Sequence, residues 1–225
     1  MATASRRGGL SGEYHHYTDI DLTASPRDTI LDASARCFMD RGFNATSIDD
    51  IASRLGATKG MVYHYFSSKA DLFFEIHQIG MDALFKAVEP LSEGTDDAVS
   101  KLRAMSAAHV HSLIQTQHYQ RAVAEGVQMH LRISTTRAQR AQLTRLQNRR
   151  RRYEQMFLEV LEQGIGEGKL RAEQPRIAIK PLFGALNSVI NWYQPRRESG
   201  PGARDEVVEE VVRVALAGVV VPGKG

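Results

Sequence analysis

The chain has 225 residues and a mass of 25.0 kDa, 42 % hydrophobic and 24 % charged, with 7 prolines. That excludes a disordered or collagen-like chain and leaves enough apolar residues for one or two cored domains. The net charge of +3 is unevenly placed: residues 1–71 hold 8 Lys/Arg against 9 Asp/Glu, whereas residues 126–153 hold 8 Arg and no acid. Composition therefore does not mark the N-terminal part as a nucleic-acid binder, and any such reading has to come from a motif. The single cysteine, Cys37, excludes an intrachain disulfide framework and a Cys-rich zinc site, and points to a reducing cytoplasm. The most apolar segment, Val207 to Val221, is broken by Glu209, Glu210 and Arg213, so no membrane span is expected. Arg6 and Arg7 precede no apolar run, which argues against a secretory signal.

Residues 1–25 mix Gly, Ser, Thr, His and Tyr without period and read as an N-terminal arm. It is either a featureless tail or a segment whose Arg6 and Arg7 touch DNA phosphate or a minor groove; His15-His16 is weak evidence for metal. Ordered structure is expected from Ser25-Pro26-Arg27-Asp28, where a capping serine, a proline at the first helical position and an early acid agree. Ile30, Ala33, Cys37 and Phe38, widened by Leu31, give that helix its apolar face, and Gly42 ends it. A second helix opens at Ser47, with Asp50 three residues on, and runs through Ile48, Ile51, Ala52 and Leu55 to Gly56. A third spans Thr58 to Phe66. Ser68 and Asp71 open a long fourth helix with Leu72, Phe73, Ile76, Ile79 and Leu84 on its apolar side. Beyond Pro90 helices are expected near 96–115, 119–130, 136–163, 175–193 and 204–219, with Pro181 either kinking the fourth of these or delaying its start. No hairpin signal appears, so the fold class is all-α.

The segment Ser47 to Phe66 is two short helices joined by Gly56-Ala57-Thr58, which is helix-turn-helix spacing. Its second helix carries Thr58, Lys59, Tyr63, His64 and Tyr65, donors and aromatics able to reach phosphates and base edges. Met61, Val62 and Phe66 are expected to face the core.

Ile51-Ala52, Leu55-Gly56, Lys59 to Phe66, Ser68-Lys69 and Asp71-Leu72, extending back to Ile30, Ala33, Phe38, Gly42, Phe43 and Thr46, resemble the N-terminal domain of the tetracycline-repressor (TetR) family of regulators. The resemblance implies an arm at 1–25, a DNA-binding domain at 26–72 and a helical effector-binding and dimerisation domain at 73–225. It further implies that Ser47 opens the second helix against phosphate and that Lys59, Tyr63 and His64 meet the groove or backbone. Thr58 caps the recognition helix, Gly60 keeps it close to the DNA, and Lys69 sits on phosphate at the start of the fourth helix. So few cations per subunit call for a homodimer on a palindromic operator, with half-sites about 34 Å apart. The pair 175–193 and 204–219 is the interface candidate, because Leu182, Leu186, Val189, Val207, Val208, Val211, Val212 and Leu216 exceed what one core obviously needs; the alternative is that they close the monomer core.

In the second domain a small-molecule effector is expected to shift the population of DNA-competent dimers. Arg150 falls in the apolar stripe of Leu143, Leu146, Tyr153, Phe157 and Val160, while Arg145, Arg149, Arg151 and Arg152 fall outside it. A buried guanidinium needs an anion: either an ion pair with Glu154 or an anionic effector. The Arg-rich segment 132–152 is a solvated face or a phosphate-binding rim. Arg150, Tyr153-Glu154, Gly164, Gly168, Pro175, Gly184 to Asn187 and Trp192-Tyr193 before Pro195 resemble a TetR subgroup that controls fatty-acid, steroid or aromatic-acid degradation and often senses acyl-CoA thioesters. His109, Arg150, Asn187, Asn191 and Trp192 are the candidate ligand residues; for His109 the alternative is a satisfied core histidine.

An enzyme is not expected. The one Glu-x-x-His spacing, Glu13 to His16, lies in the arm, and zincin, phosphate-loop and nucleophile-elbow motifs are absent. No cofactor or metal is expected. The reading is a ligand-responsive DNA-binding repressor of the cytoplasm, with a ligand-independent or protein-partnered regulator as the alternative.

Overall fold

The structure, a computed structural model, describes residues 25–121, 124, 136–194 and 202–221. The arm with Arg6, Arg7 and His15-His16, Arg132, most of the expected helix 119–130, and residues 195–201 between the expected helices 175–193 and 204–219 lie outside the described residues. The helices are α1 Pro26–Arg41, α2 Ile48–Leu55, α3 Lys59–Tyr65, α4 Lys69–Ser92, α5 Ala98–Gln115, α6 Arg137–Gly166, α7 Pro175–Asn187, α8 Val189–Trp192 and α9 Ala203–Leu216. Among the described residues the strand-like pairing is an isolated antiparallel bridge between Leu170 and Val220, which ties the end of the chain to the turn after α6.

Hydroxyl caps set the first four helix starts. Ser25, Ser47, Thr58 and Ser68 each accept from the backbone N–H three residues on, and at Ser47 the Asp50 carboxylate returns the bond to the cap amide. Each such cap contributes about 1 kcal/mol. Gly42 and Gly56 end α1 and α2 at φ of +78° and +63°, a region that disfavours any residue with a Cβ.

Two hydrophobic cores result. Ile30, Leu31, Phe38, Ile51, Val62, Phe66, Leu72 and Phe73 form the first, from α1–α4; Met105, Phe157, Leu161, Leu186, Val208 and Leu216 belong to the second, from α4–α9. Helix α4 serves both, with Leu72 to Ile76 in the first and Met81 to Val88 in the second. It is therefore a covalent rod between the two. Pro181 does not delay α7. The helix starts at Pro175, passes through Pro181 on its exposed side, and breaks at Ser188.

Three packing expectations are corrected. Met61 is 37 % exposed, because Val62 and Phe66 already fill the face of α3 that meets the core. Of the residues assigned to an interface, Leu182, Leu186, Val189, Val208, Val212 and Leu216 are buried within this one chain, closing the second core; Val207 and Val211 are half-buried. The outward faces of α7–α9 carry instead Ile177, Pro181, Gly184, Trp192 and Val214. Arg150 is not buried. Its side chain is 59 % exposed and its Nε lies 3.2 Å from Glu154, so the ion-pair alternative describes it. Helix periodicity places Arg149 on the packed side: its guanidinium lies over the Phe85 ring at 5.1 Å and pairs with Asp82. Arg152 similarly reaches Glu89, so these arginines lash α6 to α4.

Candidate nucleic-acid interface

Helix α3 is only seven residues long and depends on its anchors. Buried Val62 and Phe66 hold it on the first core, and this turns Lys59, Gly60, Met61, Tyr63, His64 and Tyr65 outward. Tyr63 is 48 % exposed. His64 and Tyr65 meet edge to face at 4.9 Å, which braces both rings. Thr58 Oγ1 is engaged by the Met61 amide, and the Ser47 hydroxyl donates to Asp50 at 2.6 Å while accepting from the Asp50 N–H. Asp50 also takes Arg41, and these bonds hold its carboxyl below the usual range, the Ser47 bonds contributing most.

The described cations of this domain are each matched. Arg27 pairs with Glu75, Arg36 with Asp32, Arg41 with Asp50, Arg54 with Asp40 and Lys59 with Asp49. Lys59 Nζ lies 3.0 Å from Asp49, and that hydrogen bond raises its pKa. Water screens such exposed pairs, so a phosphate can displace the carboxylate at little cost. Lys69 differs. Its ammonium donates to the carbonyls of Phe43, Asn44 and Thr46 and lies 4.6 Å from the Phe43 ring centre. Nothing in the sequence pattern foretold this contact, which spans more than twenty residues.

Gly60 has no internal reason to be glycine. A Cβ there would meet Thr58 Oγ1 at 3.8 Å, an ordinary contact. Gly60→Ala is therefore expected to stabilise the free protein by up to about 1 kcal/mol through helix propensity. The same change is expected to weaken DNA binding by about tenfold, since the added methyl points out of the exposed face. Paired thermal melts and DNA titrations check it.

The candidate ligand residues do not form one constellation. Asn191 and Trp192 are exposed, Trp192 by 52 %, as is Arg150. His109 and half-buried Asn187 do meet: the His109 Nε2–H donates to Asn187 Oδ1 at 3.0 Å, and the Tyr153 hydroxyl donates to His109 Nδ1 at 2.8 Å. Phe157 and Phe183 pack around the imidazole. Burial drives the Tyr153 pKa well above its ordinary value.

His77 on α4 is also buried, 3 % exposed, and among the described residues its Nδ1 has no hydrogen-bond partner. Burial pushes His77 and His109 down to about 4. In the unfolded chain histidine titrates near about 6.5, so between that pH and about 4 the unfolded state binds more protons. Stability should then fall as pH drops through this window, by up to about 1.4 kcal/mol per pH unit for each histidine. Thermal melts from pH 7 to 4 measure this, with His77→Gln expected to flatten the profile.

Sequence reasoning also missed the segment after α5. Gln117 Nε2 donates to the Tyr193 carbonyl at 2.6 Å; His118 Nε2 lies 2.9 Å from Asp32 on α1; Gln120 Nε2 donates to the Gly80 carbonyl of α4 at 3.0 Å. Between them Tyr119, 1 % exposed, enters the first core. Among the described residues no three His, Cys, Asp or Glu side chains cluster as a metal site, and no helix is long and apolar enough to cross a membrane.

A capped helix-turn-helix standing on its own core, joined by one long helix to a second helical domain, is the architecture of a DNA-binding regulator. Residues 30–76 match the family model of bacterial regulatory proteins of the tetR family, and residues 95–219 match a tetracyclin repressor-like C-terminal domain. The chain belongs to the TetR family, whose members are transcriptional regulators, not enzymes, that bind DNA operators, typically as dimers. It is 25 % identical over 203 residues to the HTH-type transcriptional repressor KstR2 of Mycobacterium tuberculosis (strain H37Rv), covering 88 % of this chain and 95 % of that protein. The solved structure of the ketosteroid transcriptional regulator KstR2 of Mycobacterium tuberculosis superposes with a TM-score of 0.77 at 23 % identity, over 88 % of this chain and 97 % of that one. AibR, solved in complex with isovaleryl coenzyme A and operator DNA, superposes with a TM-score of 0.68 at 23 % identity, over 84 % and 97 % of the two chains.

Proposed function

We propose that this regulator is a repressor that binds a palindromic operator as a homodimer and is released by a small-molecule effector, with an acyl-CoA thioester as the candidate class. The observation that carries the DNA reading is the outward face of α3, where Tyr63, Tyr65 and Lys59 stand exposed around a glycine while Val62 and Phe66 are locked in the core. Ser47, Thr58, Lys59, Gly60, Tyr63 and His64 form the contact set, with Lys69 beside them. Repression is favoured over activation because KstR2 matches along nearly its whole length, whereas the activator FasR of Mycolicibacterium smegmatis matches over 36 % of its length at 37 % identity.

The dimer face is assigned to the outward sides of α7–α9. Ile177 and Val214 are 61 % and 55 % exposed, and a Cβ at Gly184 or Gly218 would meet nothing, which leaves room for a second helix pair to approach. For the effector, the support is the CoA ester held by AibR and a nitrogen of His77, on the helix shared by both cores, that has no hydrogen-bond partner among the described residues. The filled aromatic surround of His109 favours the second reading, a regulator with no small-molecule ligand.

Fluorescence anisotropy on duplexes from the DNA flanking its gene, with acyl-CoA esters and free acids titrated into the complex, tests both readings. Release by a CoA ester supports the first. Binding that no ester releases, with no thermal stabilisation by any ester, supports the second. No binding to any palindrome-bearing duplex at low salt overturns both.

A further inference from the structure

We infer that Lys69 serves DNA binding as a positioning residue that staples the α1–α2 turn, and that it is not itself a phosphate contact; this rests on the DNA-binding reading above. An ammonium has three donors, and here three carbonyls take them: Thr46 O at 2.7 Å, Phe43 O at 2.8 Å and Asn44 O at 3.3 Å. The Phe43 ring, 4.6 Å from Nζ, stands alongside as a cation–π partner. One ammonium thus ties together three carbonyls of the α1–α2 turn. Burial lowers its pKa, as expected for an ammonium drawn out of water.

The placement also answers a local puzzle. Lys69 is the first residue of α4, and a cation at a helix N-terminus opposes the macrodipole. Three carbonyl dipoles converging on Nζ offset that penalty. The other end of the same turn is pinned by buried Thr46, whose hydroxyl bonds the Cys37 and Gly42 carbonyls at 3.1 and 2.8 Å. Ser47 follows at once and caps α2, so the turn that Lys69 and Thr46 hold sets where the α2 N-terminus meets the DNA backbone. Reaching a phosphate would cost Lys69 its three bonds and loosen that same turn.

Lys69→Met, which keeps the stem and removes the donors, and the milder Lys69→Gln are measured in the full chain against a duplex recovered by selection from random-sequence DNA. Affinity is expected to fall by about tenfold while the slope of log K against log salt stays unchanged; loss of a true phosphate contact would lower the slope by about 0.9 per subunit. Backbone amides of residues 43–48 are expected to exchange faster in both variants, with those of α5 and α6 unchanged. A reduced slope, or faster exchange with unaltered affinity, overturns the inference, and so does unaltered exchange. If the unaltered protein selects no duplex, the DNA reading fails separately, while the exchange data still report on the staple.

Discussion

Tyr119→Ala is expected to cost about 3–5 kcal/mol of stability, whereas Tyr119→Phe should be neutral or stabilising by up to about 1 kcal/mol. Tyr119 is among the largest fully buried side chains and sits in the core of the DNA-binding domain, although it follows α5 in the chain. Truncation leaves a ring-sized cavity beneath α1, and close packing prevents its collapse. The hydroxyl is different: among the described residues it is buried without a hydrogen-bond partner, and burial raises its pKa well above the tyrosine range. Removing it leaves no partner unsatisfied. Urea denaturation of both variants measures the two effects, and a costly Tyr119→Phe would show that the hydroxyl has a partner in solution.

The same substitution should weaken the tie between the domains. His118 packs against Tyr119 with tilted rings 4.3 Å apart and approaches Asp32, and its contact with Asp32 is the largest of the influences holding that carboxyl well below its usual range. A lowered carboxylate adds stability above its unfolded pKa and loses it in acid, so Asp32 reinforces the acid sensitivity of the two buried histidines. Faster amide exchange in α1 of Tyr119→Ala, beyond the change in α2, is the expected sign of that loosening.

Tyr63→Ala is expected to weaken operator binding by about 1–3 kcal/mol per subunit, hence about 2–6 kcal/mol in a dimer that uses both reading heads. Stability should change by no more than about 0.5 kcal/mol, because Tyr63 is half exposed and outside the core. Tyr63→Phe separates the hydroxyl from the ring: partial loss assigns a hydrogen bond to phosphate or base, and no loss assigns the contact to the ring. Tyr65, 38 % exposed and braced against His64, serves as the neighbouring control. An unchanged affinity in Tyr63→Ala would remove α3 from the recognition surface.

What the chain alone determined is the local architecture of its first half. Hydroxyl caps at Ser25, Ser47, Thr58 and Ser68 and stops at Gly42 and Gly56 act within a few residues of themselves, so their spacing already declared four helices and a helix-turn-helix. Periodicity likewise picked out Phe38, Ile51, Val62 and Leu72 as core. Tertiary structure decided the rest, because those choices turn on partners far away in sequence. Arg149 and Arg150 are adjacent in one run of arginines, and only the approach of α4, with Phe85 and Asp82, makes one of them a packed residue and leaves the other to Glu154. Whether Val208 and Leu216 close a core or await a second chain depended on where α5, α7 and α9 come to rest. Lys69 reads as a free cation in sequence, and it became a staple because folding brings three carbonyls, more than twenty residues earlier, within hydrogen-bond reach of one ammonium. Side-chain charge and polarity are local properties; what satisfies them is not.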